Sequence, residues 1–390
     1  MRKRNGFILL AIFLGTVLVN IIAWNSATFC DYYVQYIFPL WVNTIGRING
    51  LWSFSVGEIM VVMGVVLIVA AIILGFIAAV FYLIAIRPNL RHTMKRICTI
   101  FYKGVAWTVV VLFAVMTCNC FILYHCSTFE EKYMETKADE YTLEELILLR
   151  DYMVEKVNTL ALSLERDEYG NVIFSGDMNE TAITAMQNLG GQYEQLSGFY
   201  PTPKEITTSG FLSQQHMKGY YFPFSMEANY NAQMYRMNVP ATICHELAHV
   251  KGFIYEDEAN LIGFMACVQS DDPYFQYSGY LSVLNYIDHD FYDSIYQNRK
   301  VYQAHVSISP QVKRDNVFLT EEAWEKVEEK AVIKTATVKK LSEEFIETNL
   351  IVNGIEDGSL SYGRVVGLLL HYYHDNVDSY AQKESMALAK

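Results

Sequence analysis

The stretch His245-Glu246-Leu247-Ala248-His249 places two imidazoles four residues apart, with a carboxylate beside the first. On a helix, positions i and i+4 lie on one face. Both rings can therefore reach a single metal ion with little rearrangement. Two histidines and a carboxylate suit zinc. Zinc lowers the pKa of water toward about 7, and Glu246 stands where it could hold that water and take its proton. The pattern points to hydrolysis by metal-activated water, with one Zn2+ expected per chain. The alternatives are a capped helix with satisfied polar side chains, and a metal site that binds without cutting.

The flanks sharpen this reading. Val239-Pro240 suits a helix start, and Gly252 can stop the helix. A second helix is expected from near Tyr255. A catalytic zinc takes three protein ligands and keeps one position open, so this second helix should return an acid. At about 100° per residue, Glu256 and Asn260 share a face, and Glu258 points nearly the opposite way. Glu256 and Glu258 therefore compete for the third position, with Glu256 favoured. Ala259, Gly263 and Cys267 continue the Glu256 face as small residues, which would let the two helices pack closely. An acidic first turn favourable to the helix dipole would account for one or two of these acids in any case. The segment Glu256-Asp257-Glu258-Ala259-Asn260 resembles the ExxAD arrangement of gluzincin metallopeptidases, with Asn260 in the Asp place. Asn260 could accept a hydrogen bond from the far N–H of a ligand histidine. As a neutral amide it raises ligand basicity less than an aspartate would.

The elements that must position these residues divide the chain by charge. Of 390 residues, 52% are apolar and the net charge is −12. Residues 1–126 hold nine Lys/Arg against Asp31 and Glu58, a net +7, which leaves −19 for residues 127–390. An acidic part of that size excludes non-specific nucleic-acid binding, which needs positive surface. Residues 7–24, 56–86 and 105–126 are apolar runs, uncharged except for Glu58. Each is long enough for a bilayer core of about 30 Å. The first run exceeds the about 7–15 apolar residues of a cleaved signal peptide. The expected architecture is a membrane domain, 1–126, with three transmembrane helices. It is followed by a mostly α, α+β domain, 127–390, with a zincin-like arrangement. Arg2, Lys3 and Arg4 precede the first span, and Arg87, Arg91, Lys95, Arg96 and Lys103 fill the expected loop between the second and third. Positive segments stay in the cytoplasm. The N-terminus is then cytoplasmic, and the acidic domain lies outside on a multi-pass protein of the cell membrane. Seven cysteines do not make a disulfide framework, although Cys244 and Cys267 could either pair or remain buried thiols.

Within the outer domain, Thr142 should cap a helix over 143–164. A loop or short hairpin is expected at 166–177, then a helix closed by Gly190-Gly191 and an irregular extended stretch around Pro201 and Pro203. The aromatic segment 217–231 reads as one strand near the site, an edge strand because of Pro223. Its backbone could pair with an extended peptide. Residues 320–349 read as a solvated helix and 361–374 as an amphipathic helix that docks back.

Several stretches taken together resemble a bacterial membrane family known as domain of unknown function 3810. They are FSVGE (54–58), PFSMEAN (223–229), TICHELAHVKGF (242–253), EDEAN (256–260), YSGY (277–280) and SYGRVV (361–366). The resemblance covers nearly the whole chain. It implies membrane helices followed by a zincin-like domain, and it singles out Glu227, Tyr277, Tyr280, Tyr362 and Arg364. One of the tyrosines or Arg364 could donate to a tetrahedral oxyanion. The alternative for each is core packing or a surface ion pair. The leading expectation is a membrane-anchored zinc metallopeptidase acting on a peptide or protein substrate of unknown identity. The competing expectation is a zinc-binding membrane sensor or structural protein with a catalytically silent domain. The short basic segment 87–103 offers such a sensor little output surface. A site inside the bilayer is disfavoured by the polarity of HVKGFIYEDEAN.

Overall fold

The computed structural model describes residues 2–84, 88–134, 141–352 and 362–376. Helices α1 (Arg2–Asn25), α2 (Val56–Ile84) and α3 (Pro88–Met116) come first. Helix α3 runs on through a π turn at Thr117–Phe121 and a 3-10 turn at Leu123–His125. Three segments, Arg4–Asn25, Val56–Ile84 and Asn89–His125, are long and apolar enough to cross a membrane. Phe7, Phe76 and Leu83 stand fully out from the protein, as side chains that face lipid do. The basic stretch expected as a loop is instead the first half of α3. Pro88 is preorganised for a first helical turn, and Arg and Lys are good helix formers.

Residues 27–49 are also helical, in short pieces interrupted by π turns at Tyr33–Ile37 and Val42–Gly46. One face of this segment buries Cys30, Tyr33, Val34, Phe38 and Val42 in the same core as the later helices. The other face leaves Tyr32, Tyr36, Leu40 and Ile48 exposed. A single core therefore runs across the boundary expected at residue 126.

Beyond it, α4 (Leu143–Ser163) opens on the expected Thr142 cap, completed as a capping box by Glu145. Residues 166–172 close through a single bridge, Arg166 to Val172. Helix α5 (Met178–Leu189) follows, capped by Asp177. Strands β1 (Lys204–Ile206), β2 (Gly219–Phe222) and β3 (Glu227–Asn231) form a sheet in the order β1-β3-β2. The single strand expected over 217–231 is a hairpin, with Tyr221 opposite Ala228. Pro223 has no N–H for a ladder and sits in the turn, where Met226 adopts φ 55°. Strand β2 keeps the free edge that Pro223 suggested.

Helices α6 (Val239–Val250), α7 (Glu256–Val268) and α8 (Pro273–Ser294) pack in series under the sheet. The charged helix expected at 320–349 is two, α9 (Glu321–Lys330) and α10 (Thr335–Val352). They part where β-branched Val332 and Ile333 weaken the helix. Helix α11 (Tyr362–Asn376) docks back on α7 and α8, burying Val366, Leu368 and Leu369.

Candidate metal centre

Helix α6 carries HExxH and α7 returns against it. Pro240 stands in the first turn of α6. Gly252 ends it at φ +91°, in the left-handed region that a Cβ disfavours. A Cβ at Gly252 would also lie 2.6 Å from Val34 Cγ2, so the turn is pressed against the segment preceding α2. Gly263 of α7 lies so close to α6 that a Cβ there would be 3.0 Å from His245 N and 3.1 Å from the Ala241 carbonyl oxygen. The small face expected on α7 is thus the packing face. Cys244 and Cys267 meet across it as free thiols, with Sγ atoms 3.9 Å apart.

This packing brings His245, His249 and Glu256 together, with one ligand atom from each within 4.8 Å of the others. His245 Nε2 is 3.0 Å from His249 Nε2 and 3.1 Å from Glu256 Oε2. His249 Nε2 is 3.6 Å from Glu256 Oε1. Zinc–ligand bonds of about 2.0–2.1 Å at tetrahedral angles would separate ligand atoms by about 3.3 Å. The far side of each ring is already engaged. His249 Nδ1 donates to the Phe253 carbonyl oxygen at 2.7 Å, and His245 Nδ1 lies 3.0 Å from Asn260 Oδ1. With both protons on Nδ1, only lone pairs face the centre. Such a set needs either a proton or a cation between its members.

The titration behaviour without an ion follows from this crowding. Burial opposes a charge on His245, yet the Glu256 carboxylate outweighs it and raises the His245 pKa above the imidazole norm. Burial pushes His249 down to about 4. The Glu256 side chain is 67% exposed, so burial opposes its charge only weakly, and the His245 hydrogen bond and the two rings hold its carboxyl down at about 2. Burial lifts Glu246 to about 8. Its Oε2 is enclosed without a hydrogen-bond partner, which leaves an unused proton acceptor beside the three ligand atoms. Gly219 of β2 makes room for it, since a Cβ there would be 2.7 Å from Glu246 Oε1.

Glu258, the other expected third ligand, is turned away. Its carboxylate accepts the Phe129 N–H and caps the short helix Phe129–Tyr133. Glu227 is not at the centre either. Buried in β3, it pairs with Lys204 and accepts the N–H groups of Val56 at 3.1 Å and Gly57 at 2.7 Å. It thereby caps α2. Tyr277 donates to Asp315 Oδ2 at 2.9 Å within the core. The Tyr280 hydroxyl lies 3.3 Å from that of Tyr373 under α11. Arg364 Nε is 2.6 Å from Asp257 Oδ2. Tyr277, Tyr280 and Arg364 are thus engaged with other partners, in the core packing and ion pairing that stood as their alternative. The side chain of Tyr362 lies outside the described residues.

The centre lines a cavity of about 680 Å3. Its other walls include Lys218 and the free edge of β2 from Gly219 to Tyr221, and Met116, Cys120 and Tyr124 from the end of the third apolar helix. The sequence reading missed that second wall. Its spacing of four residues was visible, but it lay inside a run already explained by lipid. In comparison with known families, residues 33–370 match the family described as Protein of unknown function (DUF3810). No curated protein and no solved structure matches the chain.

Proposed function

The chain belongs to the DUF3810 family, whose description carries no activity, and from the geometry we propose that it is a membrane-anchored zinc metallopeptidase. His245, His249 and Glu256 would hold the ion. The observation that carries this reading is the convergence of two Nε2 lone pairs and a carboxylate at 3.0–3.6 Å, beside the unpartnered Oε2 of Glu246. Bound there, zinc would supply a Lewis acid that activates water and polarises the peptide carbonyl. Glu246 takes the proton from the attacking water and delivers it to the leaving amine. Asn260 and the Phe253 carbonyl hold the two rings with Nε2 inward. The free edge of β2 offers backbone groups along which an extended substrate can lie. Because positive segments stay in the cytoplasm, the basic residues at Arg2–Arg4 and along the first half of α3 favour an acidic domain outside it.

The test is metal content by plasma mass spectrometry on the full chain in detergent, beside His249→Ala and Glu246→Gln, with turnover on a quenched peptide library. About one zinc per chain is expected, lost in His249→Ala and kept in Glu246→Gln, which should be inactive. Cleavage by Glu246→Gln at the native rate would sink the mechanism. Stoichiometric zinc without turnover of any peptide would leave the sensor reading instead.

A further inference from the structure

One wall of the cleft is a membrane span. Met116, Cys120 and Tyr124 recur every fourth residue along the end of the third apolar segment, Asn89–His125, and line the same cavity as His245 and Glu246. The join between span and centre is one side chain thick. The Tyr221 ring lies 6.3 Å from that of His249, and its hydroxyl donates to the Asn119 carbonyl oxygen at 3.3 Å. The Asn119 side chain in turn donates to the Pro223 carbonyl oxygen at 2.8 Å, which holds the β2–β3 turn on the same helical turn.

The level of this join relative to a bilayer can be read from the spans. The uncharged run 105–126 would extend about 33 Å as a helix, close to one bilayer core. The Trp24 ring lies 4.6 Å from that of His125, tilted by 49°, and Trp is enriched at membrane interfaces. Residues 27–49 leave Tyr32, Tyr36 and Leu40 exposed, as α1 leaves Leu14, Leu18 and Trp24. Cys120 is five residues inside His125, so the cleft floor lies at the outer edge of the bilayer rather than above it.

We propose that the substrates are polypeptides anchored in the same bilayer, cut in the extracytoplasmic stretch that adjoins their own span. This rests on the peptidase reading above. A chain leaving the membrane beside α3 meets β2 at once. At about 3.3 Å per extended residue, the four residues of β2 accept a segment that ends within about eight residues of the span. A free polypeptide must find the same cleft from bulk water, without the effective concentration that a shared membrane supplies.

The experiment uses the full chain in liposomes with single-span reporter polypeptides. Their first 12 residues outside the span are randomised, and the same reporters are also supplied without a span. Products are mapped by mass spectrometry, and Glu246→Gln serves as the blank. Cuts are expected within about eight residues of the span, at a rate about 100-fold above the span-free reporter. Inserting ten polar residues next to the span should keep the cut at the same distance from the membrane, on new sequence. Equal cleavage of anchored and free reporters, absent in Glu246→Gln, would overturn this inference and leave the peptidase reading intact. No cleavage of anchored, free or library peptides would remove both.

Discussion

Asn260 shows how a single residue tunes the centre. Its Oδ1 faces His245 Nδ1 at 3.0 Å, so it fixes the ring that Glu256 also contacts. Asn260→Ala should weaken zinc binding about 10- to 100-fold, measured by competition with a chelator, with the fold unchanged. Proton counts give a second residue-scale check. Without metal, burial keeps Glu246 protonated at neutral pH, with a pKa of about 8, and Glu256 raises His245 above its usual value. A divalent cation favours the deprotonated forms of both. Zinc titrated into the metal-free chain at pH 7 should release more than one proton, measured by calorimetry in buffers of different ionisation enthalpy. The sign also holds for stability: a carboxyl whose pKa rises on folding loses native stability as pH climbs from about 4.5 to about 8. The cluster of His245, His249 and Glu256 was legible in sequence because helix geometry is local: i and i+4 set the histidines, and Glu256 shares a face with the small residues that pack on α6. Glu227, Tyr277 and Arg364 were flagged without their roles, since their partners Gly57, Asp315 and Asp257 lie far off in sequence.

At the scale of elements, the turn between α6 and α7 sets the angle at which Glu256 returns. Gly252→Ala forces a left-handed conformation that costs an L residue about 1–2 kcal/mol, and adds a methyl against Val34. A lower thermal midpoint is expected in detergent. Val34→Ala in the same chain should recover only the part due to contact. The buried pair of Lys204 and Glu227 makes a larger joint, because the carboxylate also caps α2. Lys204→Met leaves that charge without its partner and should cost about 3–5 kcal/mol. Proteolysis should then open the β1 edge first. The Asp177 cap of α5 was read as the end of a loop, whereas the helix after Thr142 was legible because cap and periodicity agreed. The hairpin at β2 and β3 was not, because an aromatic strand and an aromatic turn share composition. The long helix α3 was missed because positive charge reads equally as loop and as helix surface.

The whole molecule is less divisible than its charge suggests. Residues 1–126 and 127–390 differ sharply in composition, yet Tyr33, Val34 and Phe38 lie in one core with Leu247, Phe253 and Leu284. Charge reports which solvent a segment meets, and a core built from both segments leaves no mark in that pattern. This shared core also orders events in time. The ribosome delivers residues 27–57 first, but they are held at the bilayer once α1 and α2 insert. The later helices can close only around them. A copy that fails to insert would not have Phe38 held beneath the α6–α7 turn, nor the α2 end held where Glu227 caps it. Any proteolytic power the chain has would thus be withheld until it reaches its membrane.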